Sequence, residues 1–483
     1  MKSNRTFTRA LAVACTYLVL AYSAIAEAGW KAGIAKACIT PAEKQWMAGF
    51  SNRTNPASGG KLTDLWIKAL ALEDANGHRA VILTSDLLGI PQNIYQHTTA
   101  AIREKFGLQP DQVLLSSSHT HCGPVLRNAL YDIYPLDDAQ RALIDAYSTK
   151  LEGQIVETVG RALAALAPAR VVAGQGTTGF AVNRRTNHET EVPQDLIAGT
   201  LQGPVDHAVP VLAVYQPDGQ LTAVLFGYAC HNTTLQVYEW SGDYAGFAQI
   251  ELERSHPGAQ AMFFMGCGGD QNPLPRHDPV LALRYGNMLA AAVEEVLIRP
   301  PHNLAPELVT RMQMLSLPLG APLTVEEWQT LKMDREAPTR RWATRWLANL
   351  QAGMAPPRDY SYPVQAWRLG GEQLLITLGG EPVVDYANQF KLAFGAGTWV
   401  AGYCNDVMAY MPSRRVLEED REAKPGVRWG YEGSYNFVVY GLPAKRWGDN
   451  VEDLITAGVR QVVAETQTAN PAGTPANSLK KTN

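Results

Sequence analysis

The run 209-VPVLAVYQPDGQLTAVLFGYACHNTTL-235 decides the fold. Two apolar stretches of strand length flank Pro217-Asp218-Gly219, a strong hairpin signal. The second stretch leaves the hairpin into Cys230-His231-Asn232, so an imidazole follows a buried strand and leads into a polar loop. The same layout occurs upstream, where the short apolar strand QVLLSSS (Gln112 to Ser118) runs into His119-Thr120-His121. It recurs downstream as AMFFMG, a strand that ends in the Gly-rich loop of FFMGCGGDQNP, Phe263 to Pro273.

Outward from these strands the chain alternates β-like and helical stretches. KALALED and RAVILTSDLL read as strands, followed by a helix from about Pro91 to Lys105. Residues Asp138 to Leu166 carry apolar side chains at helical spacing and begin with acids, which favours a helix N-terminus. A helix from about Asp243 to Arg254 and a long one after Pro279 follow the hairpin. This alternation predicts an α/β protein with mixed sheets flanked by helices, in one large domain without internal repeat or linker.

Composition excludes other classes. Of 483 residues, 46% are hydrophobic and 18% charged, too apolar for a disordered chain. Lys and Arg number 42 against 46 Asp and Glu, a formal net charge of −4, so no basic excess exists to neutralise nucleic-acid phosphates. The amino terminus reads as a cleaved secretory signal over residues 1–26: Lys2, Arg5 and Arg9, then an apolar run from Ala10 to Ala26 with small residues at its end. A membrane anchor would need about 20 apolar residues. Removing three positive charges from −4 leaves −7 on a periplasmic or secreted chain. From Thr468 to Asn483 the sequence is polar and Pro-bearing, a disordered tail.

TVEEWQTLKMDREAPTRRWATRWLANL (Thr324 to Leu350) sets Trp328, Trp342 and Trp346 among Arg340, Arg341 and Arg345. Such a stripe is either an amphipathic surface for peripheral membrane contact or a helix packed on the core, and the core reading is favoured. Cys122, Cys230, Cys267 and Cys404 lie beside the motifs and read as small buried fillers, with neither CxxC pairs nor a disulfide framework.

The chemistry-bearing residues fall at strand ends. His119 and His121, two apart at the end of a predicted strand, project to one face. Both can ligate a metal, or one can ligate while the other handles protons. Asp243 reads as a helix cap before a partner for His231. ITLGGEPVVDYA places Glu381 after two glycines at a helix start, either as a dipole partner or as a carboxylate ligand. Together His119, His121, His231 and Glu381 give a nitrogen-and-oxygen set that suits Zn²⁺. Neither GxSxG nor HExxH nor a phosphate-binding GK[ST] loop is present.

In this order the motifs resemble the neutral/alkaline non-lysosomal ceramidase family. GIAKACITPAEKQWMAGF is similar to the family's opening segment, SSSHTHCGP to its HTH-[SA]-GP signature, and GFAVNRR to its N-R-S-P segment. VDHAVPVLAV, ACHNTTL, SGDYAG, GCGGDQNP, GGEP, NDVMAY and YEG follow. The resemblance implies a zinc amidohydrolase domain over residues 27–467. Carried over by position, His119, His231, Glu381 and Tyr410 would hold Zn²⁺, and His121 would act as general base and then acid. Arg184 and Tyr431 would hold or polarise the scissile amide. Asn272 stands where the family carries a Ser, Cys38 where it carries an opening Asp, and Arg185 where it carries another Ser. The segment between Tyr410 and Tyr431 is longer and more charged than the family pattern, and no counterpart of the family's carboxy-terminal β-sandwich follows the last helix. The expected activity is hydrolysis of an N-acyl bond in ceramide or a ceramide-like lipid. The alternatives are a non-sphingolipid N-acyl amine and a non-catalytic metal or lipid binder.

Overall fold

Residues 29–422 and 430–468 are described by the computed structural model. The expected leader and the tail beyond Thr468 lie outside the described residues; Thr468 itself closes the last helix.

In chain order the first strands are β1 (Trp30–Cys38), β2 (Trp66–Glu73), β3 (Arg79–Ser85), β4 (Val113–Ser117) and β5 (Ala167–Thr177). They are followed by β6 (Ala181–Asn183), β7 (Ala208–Tyr215), β8 (Leu221–Tyr228), β9 (Gln260–Met265), β10 (Gln271–Pro273) and β11 (His302–Asn303). Nine of them make one sheet in the order β4-β3-β2-β1-β5-β7-β8-β9, with β11 added against β5. The pairs β3/β4 and β8/β9 are parallel and the rest antiparallel, so the sheet is mixed as expected. The hairpin that opened the sequence reading is β7–β8, with Gly219 at φ +93° in its turn.

Alternation along the strands sends side chains to two cores. Ile67, Ala69 and Ala71 of β2 face the helices Gln92–Phe106 and Asp138–Ala164, whose Ile94, Ile102, Leu151 and Ile155 complete that core. Asp137 caps the longer helix by accepting from the Gln140 amide at 2.7 Å. Leu70 and Leu72 face the other way, onto Trp367, Leu375 and Trp399 of a second sheet. That sheet is ordered β12-β13-β14-β16, with β12 (Leu308–Pro318), β13 (Asp359–Leu369), β14 (Gln373–Leu378) and β16 (Trp399–Ala401). Its far side is covered by the helices Val384–Phe394 and Val451–Thr468. The layers are thus helix, sheet, sheet, helix. The short β15 (Glu381–Pro382) and β17 (Tyr410–Met411) pair apart from both sheets.

One stitch positions the site. After β16 the chain runs past both outer strands of the large sheet. Gly266, just beyond β9, bridges Ala401, and Ser116 of β4 bridges Cys404. The Gly402 amide donates to Met265 O at 2.9 Å and the Asn405 amide to Leu115 O at 2.7 Å. Strand ends that are remote in sheet order are therefore tied to one segment.

Trp328 and Trp342 are buried with ring centroids 4.6 Å apart, packed with Leu323, Ala343, Leu347 and Val438. Trp342 and Trp346 donate their indole N–H to Leu442 O and Gly441 O at 2.9 and 3.1 Å. Trp328 and Trp342 are core, as favoured, and Trp346 is half-buried against them. Among the described residues no helix is long and apolar enough to cross a membrane.

Candidate metal centre

β4 ends at Ser117, one residue earlier than the strand expected through Ser118, so neither histidine lies on it. His119 adopts φ +63°, a conformation a bulky residue occupies only when its surroundings enforce it. The two histidines therefore do not share a face by strand alternation. They meet because the turn folds back, leaving His119 Nε2 and His121 Nε2 3.3 Å apart. Two anchors hold the turn, the His119 amide donating to Leu87 O at 2.9 Å and His119 Nδ1 lying 2.7 Å from Leu88 O. His121 packs its ring edge-on to Phe50 at 4.6 Å, and Arg53 Nη2 donates to His121 O at 2.9 Å.

His231 follows β8, its Nδ1 2.6 Å from Gly268 O in the Gly-rich loop. Small residues in that loop serve backbone approach: a Cβ on Gly269 would stand 2.7 Å from Glu381 O, and the Gly269 amide donates to Pro382 O at 2.9 Å. The loop thus brings β15 beside His231. Glu381 Oε2 lies 3.1 Å from His119 Nε2 and 3.2 Å from His231 Nε2. Tyr410 Oη lies 3.0 Å from His231 Nε2, its ring stacked on the imidazole at an interplanar angle of 12°.

This donor set fits a divalent cation. Both Nδ1 atoms face backbone carbonyls and so carry the ring hydrogen, which turns both Nε2 lone pairs toward one another and toward a carboxylate. Protonating His231 or His121 is opposed by burial, which with Arg184 pushes His231 down to about 4 and with the neighbouring histidines holds His121 well below its usual value. Burial alone would raise the Glu381 carboxyl, but His119 and His231 hold it well below the ordinary range. The ligand nitrogens of His119, His121 and His231 all lie within 4.8 Å of one another.

A second layer of the site surrounds Arg184. The β6–β10 ladder pairs Asn183 with Gln271 and Val182 with Asn272, which sets Arg184 beside Asn272. Arg184 Nη1 donates to Asn272 Oδ1 at 3.3 Å, Nη2 to Tyr410 Oη at 3.2 Å, and Nε to Glu432 Oε1 at 2.9 Å. Burial works against its charge, yet Tyr410 and Glu432 more than offset this and raise its pKa further. Glu432 also holds Arg185 Nη1 at 2.7 Å. Tyr431 packs on Tyr410 with ring centroids 5.2 Å apart and lies under the Arg184 guanidinium.

The structure gathers His119, His121, His231, Glu381, Tyr410, Arg184, Asn272 and Tyr431 into one continuous cluster. Asp243 is a backbone anchor, accepting from the Leu235 and Tyr244 amides at 2.9 and 2.6 Å. Cys122, Cys230, Cys267 and Cys404 are buried, as read from their positions; all four are free, as is the exposed Cys38. Sequence reasoning gave no role to Tyr403, Tyr440, Glu432 and Asn436. The hydroxyls of Tyr403 and Tyr440 donate to Glu381 Oε2 and Oε1, the former at 3.3 Å. Asn436 Oδ1 accepts from the Tyr410 amide at 3.1 Å.

Fold and cluster together define an α/β protein whose strand ends gather a buried histidine cluster that could hold a metal ion. The family description "Neutral/alkaline non-lysosomal ceramidase, N-terminal" matches residues 30–273, and the chain belongs to that family. Neutral ceramidase A of Dictyostelium discoideum is 26% identical over 202 residues, which is 40% of this chain and 28% of that relative. Neutral ceramidase B of the same organism is 28% identical over 225 residues, 43% of this chain and 30% of the relative. The matched segment thus spans less than a third of either relative. The crystal structure of neutral ceramidase from Pseudomonas aeruginosa superposes with a TM-score of 0.65 at 21% identity, covering 94% of this chain and 76% of that one. A structure described as ceramidase complexed with C2 gives a TM-score of 0.65 at 19% identity, covering 94% and 78%. These likenesses show the fold.

Proposed function

We propose that the protein is a zinc-dependent amide hydrolase that cleaves the N-acyl bond of ceramide or a ceramide-like lipid, and that it works outside the cytoplasm. The observation that carries this reading is the convergence of His119 Nε2, His231 Nε2, Glu381 Oε2 and Tyr410 Oη, with His121 beside them. His119, His231, Glu381 and Tyr410 would hold the ion. When bound, Zn²⁺ supplies Lewis acidity and lowers the pKa of water to about 7.

The remaining steps belong to the chain. His121, neutral in its buried position, accepts the proton of the attacking water and returns it to the departing amine nitrogen. Tyr431 Oη donates toward the oxyanion that develops on the former carbonyl. Arg184 keeps the Tyr410 phenol and the Asn272 amide in place, and Asn272 lines the substrate side. Burial of the cluster makes each of these interactions stronger than it would be in water.

The family's sequence likeness and its fold support the lipid substrate; Asn272 in the family's Ser position favours a second reading, a different N-acyl amine. Metal analysis of the purified chain, coupled to hydrolysis of a fluorescent ceramide and of short-chain N-acyl amines, decides between them. One zinc per chain with preferred turnover of ceramide is the expected result. Absence of stoichiometric metal overturns the reading, and a preference for short amides replaces the substrate.

A further inference from the structure

Glu432, Asn436 and Tyr440 are spaced by four residues across the π-turn Tyr431–Tyr435 and the helix Asn436–Tyr440. Each reaches a different member of the metal centre. Glu432 binds Arg184, with Nη2 and Oε1 2.8 Å apart. Asn436 accepts from the Tyr410 amide and donates from Nδ2 to Tyr431 O and Glu432 O, both at 3.0 Å. Tyr440 donates its hydroxyl to Glu381 Oε1. Glu381 is itself buried, and its other oxygen faces His119 and His231 and takes only the longer phenol contact, from Tyr403 at 3.3 Å.

A carboxylate can bind a metal through one oxygen or two, and hydrogen bonds to its outer oxygen decide which. We infer that Tyr440 is a positioning residue: its phenol retains Glu381 Oε1, leaving Oε2 as the single ligand oxygen, and so fastens the 431–440 segment to the metal centre. The π-turn fits this role, since such turns interrupt regular helix where a side chain must be aimed. Metal occupancy and the placement of Tyr431 are then linked, because the ion fixes Glu381, Glu381 fixes Tyr440, and Tyr440 shares its segment with Tyr431. The inference rests on the metal reading above, and its test uses no amide substrate.

The full chain is stripped with chelator and reloaded with Zn²⁺ or Co²⁺. Tyr440→Phe, which removes only the hydroxyl, lowers Zn²⁺ affinity about 10–100-fold in competition with a chelating dye. It also alters the visible spectrum of the Co²⁺ form as Oε1 turns toward the ion. In the wild type, metal loading slows amide hydrogen exchange across 431–440, a measurement that needs no variant. A Tyr440→Phe protein with wild-type affinity and cobalt spectrum overturns the inference, as does unchanged exchange in the wild type. A wild type that takes up no metal sinks the metal reading as well. Failure of the proposed activity in its own amide assay leaves these metal readouts unchanged.

Discussion

Glu381 and Tyr410 are direct partners in a two-residue parallel ladder, Glu381–Pro382 against Tyr410–Met411. Backbone pairing thereby presents a carboxylate and a phenol side by side to His231, without either being near the other in sequence. The Glu381 amide donates to Ala409 O at 2.9 Å and the Gly380 amide to Asp406 O at 2.7 Å, so the register cannot slip without moving both side chains. Gly380, at φ +63°, permits this approach: a Cβ there would stand 2.6 Å from Ala409 O.

Glu381→Gln keeps the shape and removes the charge. The variant is expected to lose metal on gel filtration and to lower hydrolysis about 10²–10³-fold, the several kcal/mol of charge stabilisation an ion provides. The rise in melting temperature on metal loading should also vanish. Metal content equal to wild type would remove Glu381 from the ligand set.

Gly49 offers a test of His121 that replaces no titratable group. Its φ is +102°, and a Cβ there would lie 2.3 Å from His121 Nδ1. Gly49→Ala must therefore turn the imidazole, and it adds backbone strain of more than about 1 kcal/mol. The expected outcome is a loss of turnover of about 10²–10⁴-fold, the usual contribution of a general base, with zinc retained. Loss of metal in parallel would make His121 a ligand.

Much of this site was legible before the fold was known, and the limit was long-range pairing. His119, His121 and His231 announced themselves because each follows an apolar strand and precedes hydroxyl or amide residues. Glu381 followed from its two glycines. Tyr410 came only through the family resemblance, since nothing local shows that NDVMAY pairs with GGEP. The HTH geometry was inferred from strand alternation, whereas a left-handed His119 produces it. Tyr440 and Asn436 passed unnoticed inside the apolar run NFVVYG. Their four-residue spacing from Glu432 was the available signal, yet it matters only once that face is known to meet the ligands. Mixed sheets flanked by helices were readable from alternation, but the stacking of two sheets and the 401–405 stitch between β9 and β4 were not, because two isolated bridges leave no periodic trace.

The folded pKa of His231, about 4, gives a pH prediction with a definite sign. Unfolding returns the ring to its ordinary value of about 6.5, so between those values the unfolded chain binds the extra proton. Stability from this group is complete above pH 6.5 and is lost as pH falls toward 4, by about 3 kcal/mol in all. The buried carboxyls of Asp86, Asp243 and Asp270, raised by burial to about 6, act in the opposite sense, losing stability as pH rises through 4 to 6. The difference between metal-free wild type and His231→Gln isolates the histidine. Denaturant unfolding from pH 7 to 4 should show wild type losing about 3 kcal/mol relative to the variant as the pH drops. A gap that stays constant would place the His231 pKa near its ordinary value.

The tryptophan stripe can be assigned by one substitution. Trp342 sits between Trp328 and the 441–442 turn, and its helix, Ala337–Gln351, fastens two loops beside the site. Arg341 donates to Asp132 O and Ile133 O, both at 2.8 Å, while Arg345 binds the Asp132 carboxylate and Gly441 O. Gly441 directly follows Tyr440, so loosening this helix reaches the segment that holds Glu381. Trp342→Ala should cost about 3–5 kcal/mol as a core truncation. Its melting temperature should fall and its metal should exchange faster, while sedimentation with phosphatidylcholine vesicles stays at the wild-type level. Normal stability with impaired vesicle binding would instead make the indole a lipid contact, which its 2% exposure and its hydrogen bond to Leu442 O argue against.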